Sequence, residues 1–153
     1  MRWQEKRLRE LRRRLPGFQS KRKTGGLLDP TGLSTPPMEL LGNILTGLAS
    51  LLHFGFLYLE MFLWRTPRGL KVFGFTQEFA DSTQDLAKNQ GLYNGFLGAG
   101  LFWGLFTGQF PVKAFFLACV VVAGVFGGVT VKRSILFFQA VPAALALVFL
   151  ALG

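Results

Sequence analysis

Four apolar stretches, at residues 40–64, 87–108, 112–131 and 134–152, leave this chain little freedom in its fold. Each is close to the ~20 residues needed to cross a hydrocarbon core of ~30 Å. In lipid every backbone N–H and C=O must be paired within its own segment, so apolar runs of this length imply helices. Between the second and third stretches lies "TGQFPVK", a tight turn with Pro111 near a helix start. "TVKRS" separates the third from the fourth. Short links make sequential helices antiparallel neighbours. The expected fold is all-α, a four-helix transmembrane bundle over residues 38–153, in a multi-pass protein of the cell membrane.

Composition agrees with this and removes a competing idea. Half of the 153 residues are hydrophobic, and 17 Phe stand against 8 acidic residues. A small soluble domain needs more charge than that to cover its surface. The net charge of +9 suggests nucleic acid until it is mapped: ten of the 17 Lys and Arg precede Met38. Basicity therefore belongs to an N-terminal arm, residues 1–37, and no nucleic-acid partner is expected for the body. "MRWQEKRLRELRRRLPG" has the composition of a basic helix, and "KTGGLLDPTGLSTPP" is turn-rich and expected to be disordered. No apolar core follows the basic part before Gly25, so the arm does not read as a signal peptide. Anionic lipid or RNA would be drawn to such an arm, but Met38 directly before the first span favours an upstream extension of the native start. The single cysteine, Cys119, excludes an internal disulfide, and no metal-ligand set or cofactor motif accompanies it.

Small residues recur at helical intervals. Gly91 and Gly95 are four apart, as are Gly100, Gly104 and Gly108, and again Gly124 and Gly128. That spacing lets helix backbones approach closely, within one chain or between copies in a homo-oligomer. The link 65–86, "RTPRGLKVFGFTQEFADSTQDL", is the only long connection. Thr76 is placed to cap a helix with Glu78 and Asp81 near its start, which reads as a short amphipathic helix in the interface. A plain soluble loop is the alternative.

The polar residues inside the apolar runs are the candidate site. His53 and Glu60 are two helical turns apart, so they share a face about 10 Å apart along the axis. Gln90 and Asn94 share a face in the second stretch, and Gln139 precedes Pro142 in the fourth. Counted at ~1.5 Å per residue from the membrane face that holds the link, Glu60, Gln90 and Gln139 lie about 5–7 Å in. By the same count Asn94 lies about 10 Å in and His53 about 16 Å, near the midplane. A carboxyl in hydrocarbon costs several kcal/mol, so Glu60 must face the bundle interior or water. The expectation is a pocket in one leaflet-half, open toward the link, with Glu60, Gln90, Asn94 and Gln139 as ligand-binding residues and His53 beneath them. A hydrogen-bonded structural knot is the competing reading for the same residues, and His53 is either a tuned proton carrier or an interior hydrogen-bonded histidine.

The blocks "LHFGFLYLEMFLWRTPRGLKVFG", "KNQGLYNGFLGAGLFWG", "CVVVAGVFGGVT" and "QAVPAALAL" carry a resemblance. Together, over residues 38–152, the chain is similar to a family of small bacterial integral membrane proteins, the domain of unknown function numbered thirteen-hundred-and-four. The resemblance implies four spans in a bacterial inner membrane, a start at Met38, and membership of Glu60, Gln90, Asn94 and Gln139 in the motif blocks. It implies no activity and no catalytic residue.

No nucleophile–base pair, phosphate loop or metal set is visible, so no reaction follows from the residues. The function expected is binding of a small molecule or lipid headgroup, with membrane lipids as the surroundings. The rivals are a proton-coupled transporter using Glu60, similar in layout to small multidrug resistance exporters, and an accessory protein whose polar cluster is purely structural. A membrane isomerase using His and Glu rests on residue type alone.

Overall fold

The computed structural model describes residues 37–153, and every regular element among them is helical. The basic arm expected over residues 1–37 lies, but for Pro37, outside the described residues. Six helices follow in order: α1 Pro37–Leu63, α2 Pro67–Phe73, α3 Gln77–Ser82, α4 Gln84–Phe106, α5 Phe110–Thr130 and α6 Arg133–Leu152. Helix α1 packs against α4 and α6, and α5 also packs against α4 and α6. Ala49, Leu101, Leu117, Val120, Ala143, Ala146 and Leu150 form the apolar core between them.

Three of these helices, α1, α5 and α6, are long and apolar enough to cross a membrane. Helix α4 occupies the place expected for a fourth span, and its 23 residues make it long enough. It falls short in apolarity. Gln84, Asp85, Lys88, Asn89 and Gln90 crowd its first two turns, and glycines dilute the remainder. Glycine adds little hydrophobicity, so the stretch 87–108 is less apolar than its few charges suggest.

Apart from core residues such as Leu101, Leu117 and Val120, much of what the helices bury is small or polar, and much of what they expose is large and apolar. The buried residues of α1 are Gly42, Thr46, Ala49, Ser50 and His53, spaced as one helical face. Leu51, two positions from the fully buried His53, is 68% exposed. Glycines set the close approaches. A Cβ on Gly42 would meet the Leu150 backbone nitrogen at 2.9 Å, and one on Gly124 the Ala140 nitrogen at 2.7 Å. Gly91, Gly95 and Gly98 face α1, while Gly100 and Gly104 face α5. These glycine faces are therefore used within the chain. Gly108, grouped by spacing with Gly100 and Gly104, does something else: at φ 66° it makes the left-handed turn between α4 and α5.

Both α1 and α6 contain a π-helical turn, over Leu59–Leu63 and Leu136–Ala140. Pro142 explains the second. It lacks an N–H, and its ring presses on the carbonyl four residues back. The turn widens, and Val141 N–H donates to Leu136 O, five residues back.

The link forms two short helices rather than one. Thr66 and Thr76 cap them, accepting from Gly69 N at 3.3 Å and Phe79 N at 3.2 Å. Gly74, at φ 75°, closes the first. Trp64 anchors the link to the start of α4 by donating to Thr83 Oγ1 at 3.1 Å. Its ring also meets Phe73 and Phe75, with centroids 4.8 and 5.1 Å away. On the exposed side Arg65 pairs with Asp81 and donates to Gln84 Oε1 at 3.0 Å.

Candidate functional site

The five residues singled out from the sequence divide into two pairs and a remainder. Glu60 lies in the first π-helical turn, half-buried, and accepts a 2.7 Å hydrogen bond from the Asn94 amide of α4. His53, fully buried on α1, donates from Nδ1 to Ala49 O at 2.8 Å. In the neutral ring that leaves Nε2 as the acceptor, and Gln139 in the second π-helical turn approaches it through its amide nitrogen at 3.5 Å. Gln90 is exposed, one turn before Asn94, and joins neither pair. Spacing put Gln90 and Asn94 on one side of a helix but could not give the rotation that buries only Asn94.

A cleft of about 370 Å³ lies between α1, α5 and α6. Its walls are apolar, with Leu45, Leu48 and Leu52 on one side and Phe138 and Pro142 on the other. His53 and Gln139 are its polar residues. Glu60, Gln90 and Asn94 do not line it. Its α1 wall runs from Leu45 to His53, and Leu48 and Phe138 in its lining are largely exposed. Among the described residues every buried side-chain nitrogen and oxygen has a partner. The His53–Gln139 contact is the weakest of them, at the outer limit for a hydrogen bond.

Other polar contacts went unread in the sequence. Thr46 Oγ1 donates to Gly42 O at 2.7 Å, and Ser50 Oγ donates across to Gly98 O of α4 at 2.8 Å. Near the start of α5, Lys113 is only 3% exposed and donates from Nζ to Asn43 Oδ1 of α1 at 2.8 Å. A lone lysine one turn inside an apolar helix is the sequence signal for this contact. Polar contacts thus occur toward both ends of the bundled helices. Among the described residues no three His, Cys, Asp or Glu side chains converge as a metal site.

Helices with small and polar buried faces, three of them long and apolar enough to cross a membrane, define a helical protein of membrane-compatible type. The chain belongs to the family described as "Protein of unknown function (DUF1304)", which matches residues 47–151. It is 33% identical over 115 residues to "Uncharacterized protein YpaA" of Lactococcus lactis subsp. lactis (strain IL1403), covering 72% of this chain and 97% of that protein. No solved structure matches it.

Proposed function

We propose that the chain is a four-span protein of the bacterial cell membrane that binds a small apolar or amphiphilic molecule in the cleft between α1 and α6. The observation that carries this is a fully buried histidine, weakly held by Gln139, at a cleft whose walls are hydrocarbon. Ligand sites combine mostly apolar walls with a few placed polar groups, commonly at volumes of roughly 300–1,000 Å³. The large exposed side chains suit lipid contact, since a lipid-facing surface need not be polar. Helix α4 supplies the fourth span, its polar first turns standing at the headgroup level beside the link. The body is residues 38–153, and the arm over 1–37 is a separate extension; the family match beginning at residue 47 supports this division.

Glu60 and Asn94 satisfy one another and serve as interhelical glue in this reading. Mass spectrometry of small molecules that co-purify with the full chain tests the proposal. Leu48, at the mouth of the cleft, is 57% exposed, so Leu48→Trp fills the opening without entering the core. The wild-type protein should retain a species that Leu48→Trp loses. Identical co-purifying molecules in both would refute the cleft as the site.

A further inference from the structure

We infer that the molecule taken by this cleft is neutral and hydroxyl-bearing, with its O–H donating to His53 Nε2 and its oxygen accepting from the Gln139 amide. The inference rests on the binding reading above and specifies its chemistry.

A hydrocarbon, a ketone or ether, and a hydroxyl would meet the contact between His53 and Gln139 differently. Nδ1 of His53 is committed to Ala49 O at 2.8 Å, so in the neutral ring Nε2 presents a lone pair. Its contact with Gln139 spans 3.5 Å, against the ~2.9–3.0 Å of an ordinary N–H donor bond. A hydrocarbon would leave this weak contact as it is. A ketone or ether has only lone pairs, so it engages the Gln139 N–H and confronts the Nε2 lone pair with another. A hydroxyl offers one donor and two acceptor positions, and it completes both sides at once.

Depth decides the charge. His53 lies about 15 Å from the end of α1, counted at ~1.5 Å per residue, close to the centre of a ~30 Å hydrocarbon layer. A charged headgroup carried to that depth is costly, whereas a single hydroxyl loses little when it is paired. Entry is from the side, since Leu48 and Phe138 at the cleft are both largely exposed on the outer surface. The hydrocarbon part of the ligand then lies along Leu48, Leu52, Phe138 and Pro142.

His53 is the chain's single histidine, which makes the test direct. The full protein, labelled with ¹⁵N-histidine and placed in phosphatidylcholine nanodiscs, gives one imidazole to follow by NMR. It is titrated in parallel with 1-decanol, 2-decanone and decane at matched membrane mole fractions. The expected result is a saturable shift of the Nε2 resonance with decanol alone. Gln139→Leu should raise the half-saturating decanol about five-fold, the worth of one ordinary hydrogen bond. Leu48→Trp should abolish the shift while leaving the folded spectrum intact. Equal or stronger saturable shifts with decanone would overturn the hydroxyl assignment and leave the cleft as a binding site. No saturable shift with any probe, or the same drift in Leu48→Trp, would overturn the hydroxyl assignment and the binding reading together.

Discussion

Asn94 of α4 donates to the Glu60 carboxylate of α1 over 2.7 Å, tying two helices together beside the link. The bond predicts an ordering of variants. Glu60→Gln keeps an acceptor for Asn94, whereas Glu60→Leu strands a buried amide at a cost of about 1–3 kcal/mol. In detergent, Glu60→Leu should therefore unfold at a lower temperature than Glu60→Gln. Equal midpoints would mean that Asn94 finds water when its partner is lost.

Glycine contacts predict a contrast between two alanine substitutions. A Cβ at Gly124 meets the backbone nitrogen of Ala140 at 2.7 Å, and backbone cannot swing aside as a side chain can. Gly124→Ala should destabilise by about 1–3 kcal/mol as α5 and α6 are pushed apart. Gly55 has open space around its Cβ position, so Gly55→Ala should stabilise by roughly 0.5–1 kcal/mol through helix propensity. Thermal midpoints of the two variants, measured side by side, should move in opposite directions.

Acid should loosen the link before it disturbs the long helices. Hydrogen bonds from Gln77 and Arg65 hold the Asp81 carboxyl below its ordinary range. A lowered folded value means this contribution is present above the unfolded Asp value of about 3.9 and is lost as pH falls through the folded value. Trp64 fluorescence, which senses the aromatic cluster of the link, should show an acid step below about pH 4. The step should be absent in Asp81→Asn. Its persistence there would assign it to another carboxyl.

Lys113 drops out of the charge balance that sets orientation in a membrane. Buried against Asn43, it is not a free loop charge at the turn between α4 and α5. On the link side Arg65, Arg68, Lys71, Lys88, Lys132 and Arg133 are all exposed. Of the arm's basic residues, only Lys21, Arg22 and Lys23 fall within the ~15–20 residues of a span where such charge counts most. For the proposed four-span protein, three against six predicts the link in the cytoplasm and Gly153 outside. A fluorescent protein fused after Gly153 should stay dark, and a phosphatase active only outside the cytoplasm should work. The reverse pattern would invert the orientation.

Much of the helix layout could be read from the sequence because it depends on runs of residues. The first, third and fourth apolar stretches lie within a few residues of α1, α5 and α6, and Thr76 caps α3 as its position before Glu78 suggests. Pairing depends instead on how each helix is rotated, which composition does not encode. Glu60 could be matched equally well with Gln90 or Asn94, and only the packed helices separate them. The cleft was invisible for the same reason. Leu48, Leu52 and Phe138 look like any lipid-facing residues until Pro142 is seen to distort α6 beside them.

That distortion has an evolutionary reading. A π-helical turn is the mark of one residue more than an α-helix of the same span would hold, and each residue advances the α-helix by about 100°. Deleting a single residue between Leu136 and Ala140 would let the turn close to α geometry while the parts of α6 on either side keep their facing. The widened turn that carries Gln139 beside His53 would be gone, while the rest of the helix stayed in place. A one-residue gap at this place in a relative would therefore mark a protein that keeps the architecture but has lost this contact.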